Sequence, residues 1–161
     1  MPWLEDIPLG MRTELGTHTF TEEEIIAFAR KFDPQPFHID PEAARTGPFG
    51  GLVASGWHTT AIWMKLMVRS RLNSDGPADP DGTKPPAGGP SPGFLELKWP
   101  VPVRPGDTIS FSTTTREKID MKSRPNMGII RSLNEGVNQK GETVLSFLGQ
   151  GLIMRRNPLR E

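Results

Sequence analysis

Polar and apolar positions along the chain divide it into a helix-rich first half and a strand-rich second half. Residues 14–20 read as a short strand. Thr21 with Glu22, Glu23 and Glu24 has the form of a capping box, which predicts a helix to about Phe32 that Pro34 closes. Asp40 before Pro41, Glu42, Ala43 and Ala44 reads as an N-cap, a proline at the first helical position and good helix formers. The glycines and proline of Gly47 to Gly51 predict a flexible turn, and Ser55 or Gly56 is placed to start a helix running to about Leu72. Trp57, Ala61, Ile62, Trp63, Met64, Leu66, Met67 and Val68 leave it only a narrow polar stripe, the pattern of an enclosed helix.

Residues 74–92 then hold six prolines and four glycines in nineteen positions, so they predict a mobile loop that is dispensable for chemistry. Strand-like runs follow at Phe94 to Trp99, Thr108 to Thr115, Gly128 to Asn138 and Glu142 to Met154. Pro105-Gly106-Asp107 and Lys140-Gly141 are turn signals between them, and the last two runs form a natural hairpin. Helices early and antiparallel strands late predict an α+β domain with one long helix packed against a curved sheet.

Composition narrows the functional classes. A chain of 161 residues, 35% of them hydrophobic, fits one domain. Nineteen basic and nineteen acidic side chains cancel, so no overall field favours nucleic acid or an anionic membrane. The absence of cysteine excludes disulfides and thiolate chemistry and agrees with a cytoplasmic location. The N-terminus has prolines and early acids where a signal peptide needs a basic start and an apolar run. The most apolar stretch, Gly51 to Val68, is interrupted by His58, Thr59, Thr60 and Lys65 and reads as a buried helix, not a membrane span.

The chemistry concentrates at FDPQPFHIDP, residues 32–41, which sets Asp33 and His38 five residues apart on a proline-stiffened turn. Fully extended, five residues span roughly 17 Å, so the two side chains share one site only if the loop folds back. A pair of that kind suits proton transfer to and from a held water. Its plain alternative is a turn starter followed by a polar loop histidine. Asp40 has a capping role to fill, whereas Asp33 and His38 have no obvious local use.

Asp33 and His38 with Ile39-Asp40 and Ala43-Ala44 after them, Gly51-Leu52-Val53-Ala54-Ser55-Gly56, and Trp99-Pro-Val-Pro-Val-Arg-Pro-Gly-Asp107 occur in one order over roughly residues 14–155. Together they resemble the MaoC-like, (R)-specific enoyl-CoA hydratases and dehydratases, which have the hotdog fold. The resemblance implies a single hotdog domain and an acyl-CoA or related acyl-thioester substrate. It further implies a hydro-lyase using an Asp33/His38 dyad, with His38 taking a proton from water while Asp33 orients it and relays a proton to Cα, or with the two roles exchanged. The Gly56 N–H at the start of the long helix would meet the thioester oxygen, with Ser55 positioning the dyad or simply capping the helix. Lys122, Arg124 and Arg131 are candidates to meet coenzyme A phosphates. No cofactor beyond coenzyme A in the substrate, no metal and a homodimer are expected. One departure is Phe32, which stands where the family commonly has a small residue before the aspartate.

Other constellations carry less. Val53 and Trp57 occupy positions where a nucleophile elbow needs glycine. His18, His38 and His58 lack metal-ligand spacing, and His58 reads as a structural helix residue. Gly149-Gln-Gly151 lacks the third glycine of a dinucleotide loop. The functional alternatives are a non-catalytic acyl-thioester binder or accessory subunit, and a thioesterase on the same fold.

Overall fold

The computed structural model describes residues 2–72, 80–84 and 88–159. After a short 3-10 turn, β1 (Arg12–Thr19) leads into α1 (Glu22–Phe32). Thr21 caps α1 by accepting the Glu24 N–H, three glutamates occupy its first turn, and Arg30 and Lys31 its last, each charge matched to the helix dipole. Two helical turns follow, α2 (Pro36–Ile39) and α3 (Pro41–Arg45), before the long α4 (Gly56–Leu72). The strands β2 (Phe94–Lys98), β3 (Thr108–Asp120), β4 (Met127–Val137) and β5 (Thr143–Met154) complete the chain.

The five strands form one curved antiparallel sheet in the order β1-β3-β4-β5-β2, with α4 as the central helix. This is the hotdog architecture. The β4–β5 hairpin forms as the turn signal predicts: the Asn138 side chain accepts the Lys140 and Glu142 N–H groups and holds the reversal. Phe20, Ile25, Ile109, Phe111 and Leu145 are completely buried and fix the core where β1, α1, β3 and β5 meet. Phe20 exchanges backbone bonds with the Pro105–Asp107 turn, and that turn needs Gly106 at φ +88°, which a side chain would strain.

Three sequence expectations change. Strand β3 continues past Thr115 to Asp120, because beyond a bulge at Arg116 residues Glu117 to Asp120 pair with β4 although their own pattern is largely polar. Helix α4 is enclosed on one face only: His58, Thr59, Trp63 and Met67 are buried, while Trp57, Met64, Val68 and Leu72 are 50%, 51%, 44% and 79% exposed. Much of the proline/glycine-rich loop 74–92, namely residues 74–79 and 85–87, lies outside the described residues. Its last part is tied down, since Gly89 donates to Leu152 O at 2.9 Å and Gly93 O accepts the Gln150 N–H. Among the described residues, no helix is long and apolar enough to cross a membrane.

Candidate active site

Local sequence brings Asp33 and His38 together. Asp33 is the C-cap of α1, its N–H donating to Ala29 O, and Pro34 prevents any further helical turn. The expected stiff spacer does not stay extended. Pro36 takes the first position of α2, where its missing N–H and fixed φ are favourable, and this turn swings His38 back over Asp33. His38 Nε2 then lies 3.4 Å from Asp33 Oδ2, with the two side chains 8% and 20% exposed.

The imidazole is oriented from behind. His38 Nδ1 is 2.7 Å from the carbonyl of Val53, and a carbonyl only accepts, so Nδ1 carries a proton and Nε2 is the nitrogen turned toward Asp33. Val53 is fixed in turn, because its N–H donates to Phe37 O and the next amide, Ala54, donates to Val103 O. Segment 52–55 therefore lies between α2 and the strand-entering stretch before β3.

Asp33 is held on both oxygens. Ser55 Oγ donates to Oδ2 at 2.7 Å and Gln35 Nε2 donates to Oδ1 at 2.8 Å. Burial pushes this carboxyl up, but the hydrogen bonds from Ser55 and Gln35 draw it down, so Asp33 lies below its ordinary pKa and is ionised at neutral pH. Ser55 Oγ also accepts the Trp57 N–H, so one hydroxyl caps α4 and holds Asp33.

Gly56 begins α4, among the amides that have no carbonyl partner within the helix. The Trp99 ring lies against it so closely that a Cβ there would fall 2.3 Å from the indole. Trp99 is fixed by its Nε1–H to Thr60 Oγ1 and by an edge contact with Trp57. These groups surround a cleft of about 430 Å³. Phe37, Phe49, Trp57 and Trp99 line its walls, and the buried Val53, Thr59 and Val144 its inner end. Phe32 is not part of it: the ring is 62% exposed, against Phe28 and under the Lys31 ammonium, so it does not narrow the cleft.

Asp33, His38, Ser55 and Gly56 thus line one cleft, while the three basic candidates do not line it. Lys122 and Arg124 are exposed on the β3–β4 turn. Arg131 lies on β4 and pairs with Glu117 at 2.8 Å. Sequence reasoning missed Gln35, which lies inside the recognised motif, and Arg104, which donates to Phe49 O and braces the rim of the cleft. It also missed Trp99 and the Val53 carbonyl, and no local signal marks a side chain 43 residues from Gly56 or a backbone oxygen as part of the site.

His58 has the structural role expected of it, with an addition. It is stacked on Phe28 at 4.5 Å, and its Nε2 is 4.0 Å from Glu24 Oε1, which also takes His18 Nε2 at 2.6 Å. Glu24 is therefore drawn toward the histidines, away from the helix start where a capping box would place it.

The chain matches the model of the MaoC-like domain over residues 8–135. It belongs to the MaoC-like dehydratase family, which has hydratase and dehydratase members. It is 30% identical to the uncharacterized protein YdeM of Bacillus subtilis, over 85% of this chain and 88% of that one. The crystal structure of the MaoC-like dehydratase from Rhodospirillum rubrum is 41% identical, with a TM-score of 0.79 over 96% of this chain and 98% of that one. A shorter match, 45% identity over 49 residues, joins it to 3-hydroxyacyl-thioester dehydratase Z of Mycobacterium tuberculosis, covering 30% of this chain and 32% of that protein.

Proposed function

We propose that this chain is a hydro-lyase that adds water to a trans-2-enoyl-CoA, or removes it from the (R)-3-hydroxyacyl thioester, with Asp33 and His38 as the acid–base pair. The observation that carries the reading is the Asp33–His38 contact with Nδ1 committed to Val53. It sets Nε2 and an ionised carboxylate oxygen 3.4 Å apart, and in the reactive form of the pair, with Nε2 unprotonated, both are acceptors. Two facing acceptors are satisfied together by one water that donates a proton to each. That water is then the nucleophile.

As its oxygen bonds to Cβ, His38 Nε2 takes one of its protons. The proton passes across the short gap to Asp33, which delivers it to Cα and leaves both groups as they began. Meanwhile charge develops on the thioester oxygen, and the Gly56 N–H at the positive end of α4 is the donor aimed at it. The dehydratase names of the family and of two of its relatives support this direction of chemistry.

A second copy of the chain completes the molecule in this reading. The exposed stripe of Trp57, Met64, Val68 and Leu72 on α4 and the exposed Phe94 and Leu95 on edge strand β2 are apolar surfaces that a homodimer would cover.

The test is hydration of enoyl-CoA substrates, followed by loss of the conjugated thioester absorbance together with free-thiol detection. Asp33→Asn and His38→Ala are each expected to slow hydration by at least about a hundredfold while leaving the fold intact, as acid–base groups do. Thiol release without hydration would reject the hydro-lyase reading in favour of hydrolysis at the carbonyl.

A further inference from the structure

The cleft that holds the dyad ends on one turn of α4, and a second cavity starts on the next. Thr59 lines the cleft, whereas Trp63 lines a separate cavity of about 400 Å³ between α4 and the sheet. Four residues apart, they share one helix face with a rise of about 6 Å between them. Strand β5 repeats the division, with Val144 on the cleft and Phe147 on the cavity.

What stands at the junction is a ring pair. Trp63 and Phe147 meet edge to face at 4.6 Å, and they are 6% and 5% exposed. Asn134, the register partner of Phe147 on β4, extends the same layer. Trp63, Phe147 and Asn134 all line the cavity, and none of them lines the cleft. The layer therefore stands between the two spaces. Behind it, the sheet face carries Thr113, Ser132, Gly149 and Gly151 where a filled core would carry branched aliphatics, and a Cβ on Gly151 would meet nothing within 4 Å.

The orientation of a bound thioester follows from the burial gradient. The mouth of the cleft has the exposed rings of Phe49, Trp57 and Trp99, so the coenzyme A arm leaves there, and the acyl end points inward past Thr59 and Val144. Its next neighbours in that direction are Trp63 and Phe147.

We infer that Trp63 and Phe147 form a partition that limits acyl length, so the site takes short-chain acyl thioesters and the cavity behind is room that only a breached partition would open to a longer chain. This rests on the acyl-thioester reading of the cleft.

The test compares crotonyl-CoA with trans-2-octenoyl-CoA in turnover, and butyryl-CoA with octanoyl-CoA in calorimetric binding. The wild-type protein is expected to favour crotonyl-CoA in kcat/KM by at least about tenfold, the scale on which pocket walls discriminate methylenes. Trp63→Leu and Phe147→Ala should shift that ratio toward octenoyl-CoA by a similar factor. Adding Gly151→Leu to either variant should refill the cavity and restore the short-chain preference, whereas Gly151→Leu alone should leave both substrates unaffected. Equal wild-type use of the two lengths, or loss of octenoyl-CoA turnover in Gly151→Leu alone, would overturn the partition, even if the ring variants failed to fold. Should no enoyl-CoA be hydrated, the hydro-lyase reading fails, and the binding arm still decides: octanoyl-CoA must bind the wild-type protein no more tightly than butyryl-CoA, and tighter binding overturns it.

Discussion

Ser55 serves two neighbours with one hydroxyl, donating to Asp33 and accepting from the first turn of α4. Its removal therefore has two separable consequences. Without the Ser55 hydrogen bond the Asp33 carboxyl rises toward its ordinary value, so the acidic limb of the pH–rate profile of Ser55→Ala should move to higher pH. The lost cap should also lower stability by about 1 kcal/mol. A pH–rate profile superposing on that of the wild type would show that Ser55 is a helix cap alone. Asp40 provides the contrast. Its Oδ1 accepts the Glu42 and Ala43 N–H groups and it takes no part in the cleft, so Asp40→Asn, which preserves the cap, should retain most hydration activity.

At the scale of elements, α4 is tied to α1 and β1 through His58, Glu24 and His18. Burial drives the His58 pKa down to about 4, with Glu24 pulling it up and His18 pushing it further down. The folded state thus binds this proton less readily than the unfolded chain, whose histidine has an ordinary value near 6.5. Stability contributed by neutral His58 is complete above pH of about 6.5 and is lost as pH falls toward 4, by on the order of 3 kcal/mol. Thermal midpoints measured between these limits should fall for the wild type and flatten for His58→Leu, which keeps an apolar contact with Phe28. The same slope in both would assign the acid sensitivity to another group. The window lies above that in which Asp33 and Glu5, both lowered carboxyls, take up their protons.

At the scale of the whole molecule, the exposed apolar stripe on α4 sets the next expectation. Val68→Glu places a charge in the middle of that stripe, and sedimentation should then show monomer where the wild type is dimeric. A wild-type chain that sediments as a monomer at micromolar concentration would remove the proposal of a second copy. An unchanged dimer in the variant would move the interface away from this face of α4.

Much of the molecule was written locally. The Thr21 cap, the helix stop at Pro34, the Asp40 cap, the Pro105–Asp107 turn and the β4–β5 hairpin each depend on residues within a few positions of one another, and short-range rules are sufficient to read them. The dyad belongs to this group in residue identity, since Asp33 and His38 share one loop. Its geometry does not, because Nδ1 is aimed by a carbonyl fifteen residues away and Asp33 by a hydroxyl twenty-two residues away. The apolar faces of α4 show the same division. Hydrophobicity alone marks all of them for burial, yet one sheet covers only one side of a helix. The Trp99 ring over Gly56 and the Trp63–Phe147 layer were likewise decided by tertiary packing, since the shape of a cleft is set by side chains that meet only when distant segments close on one another.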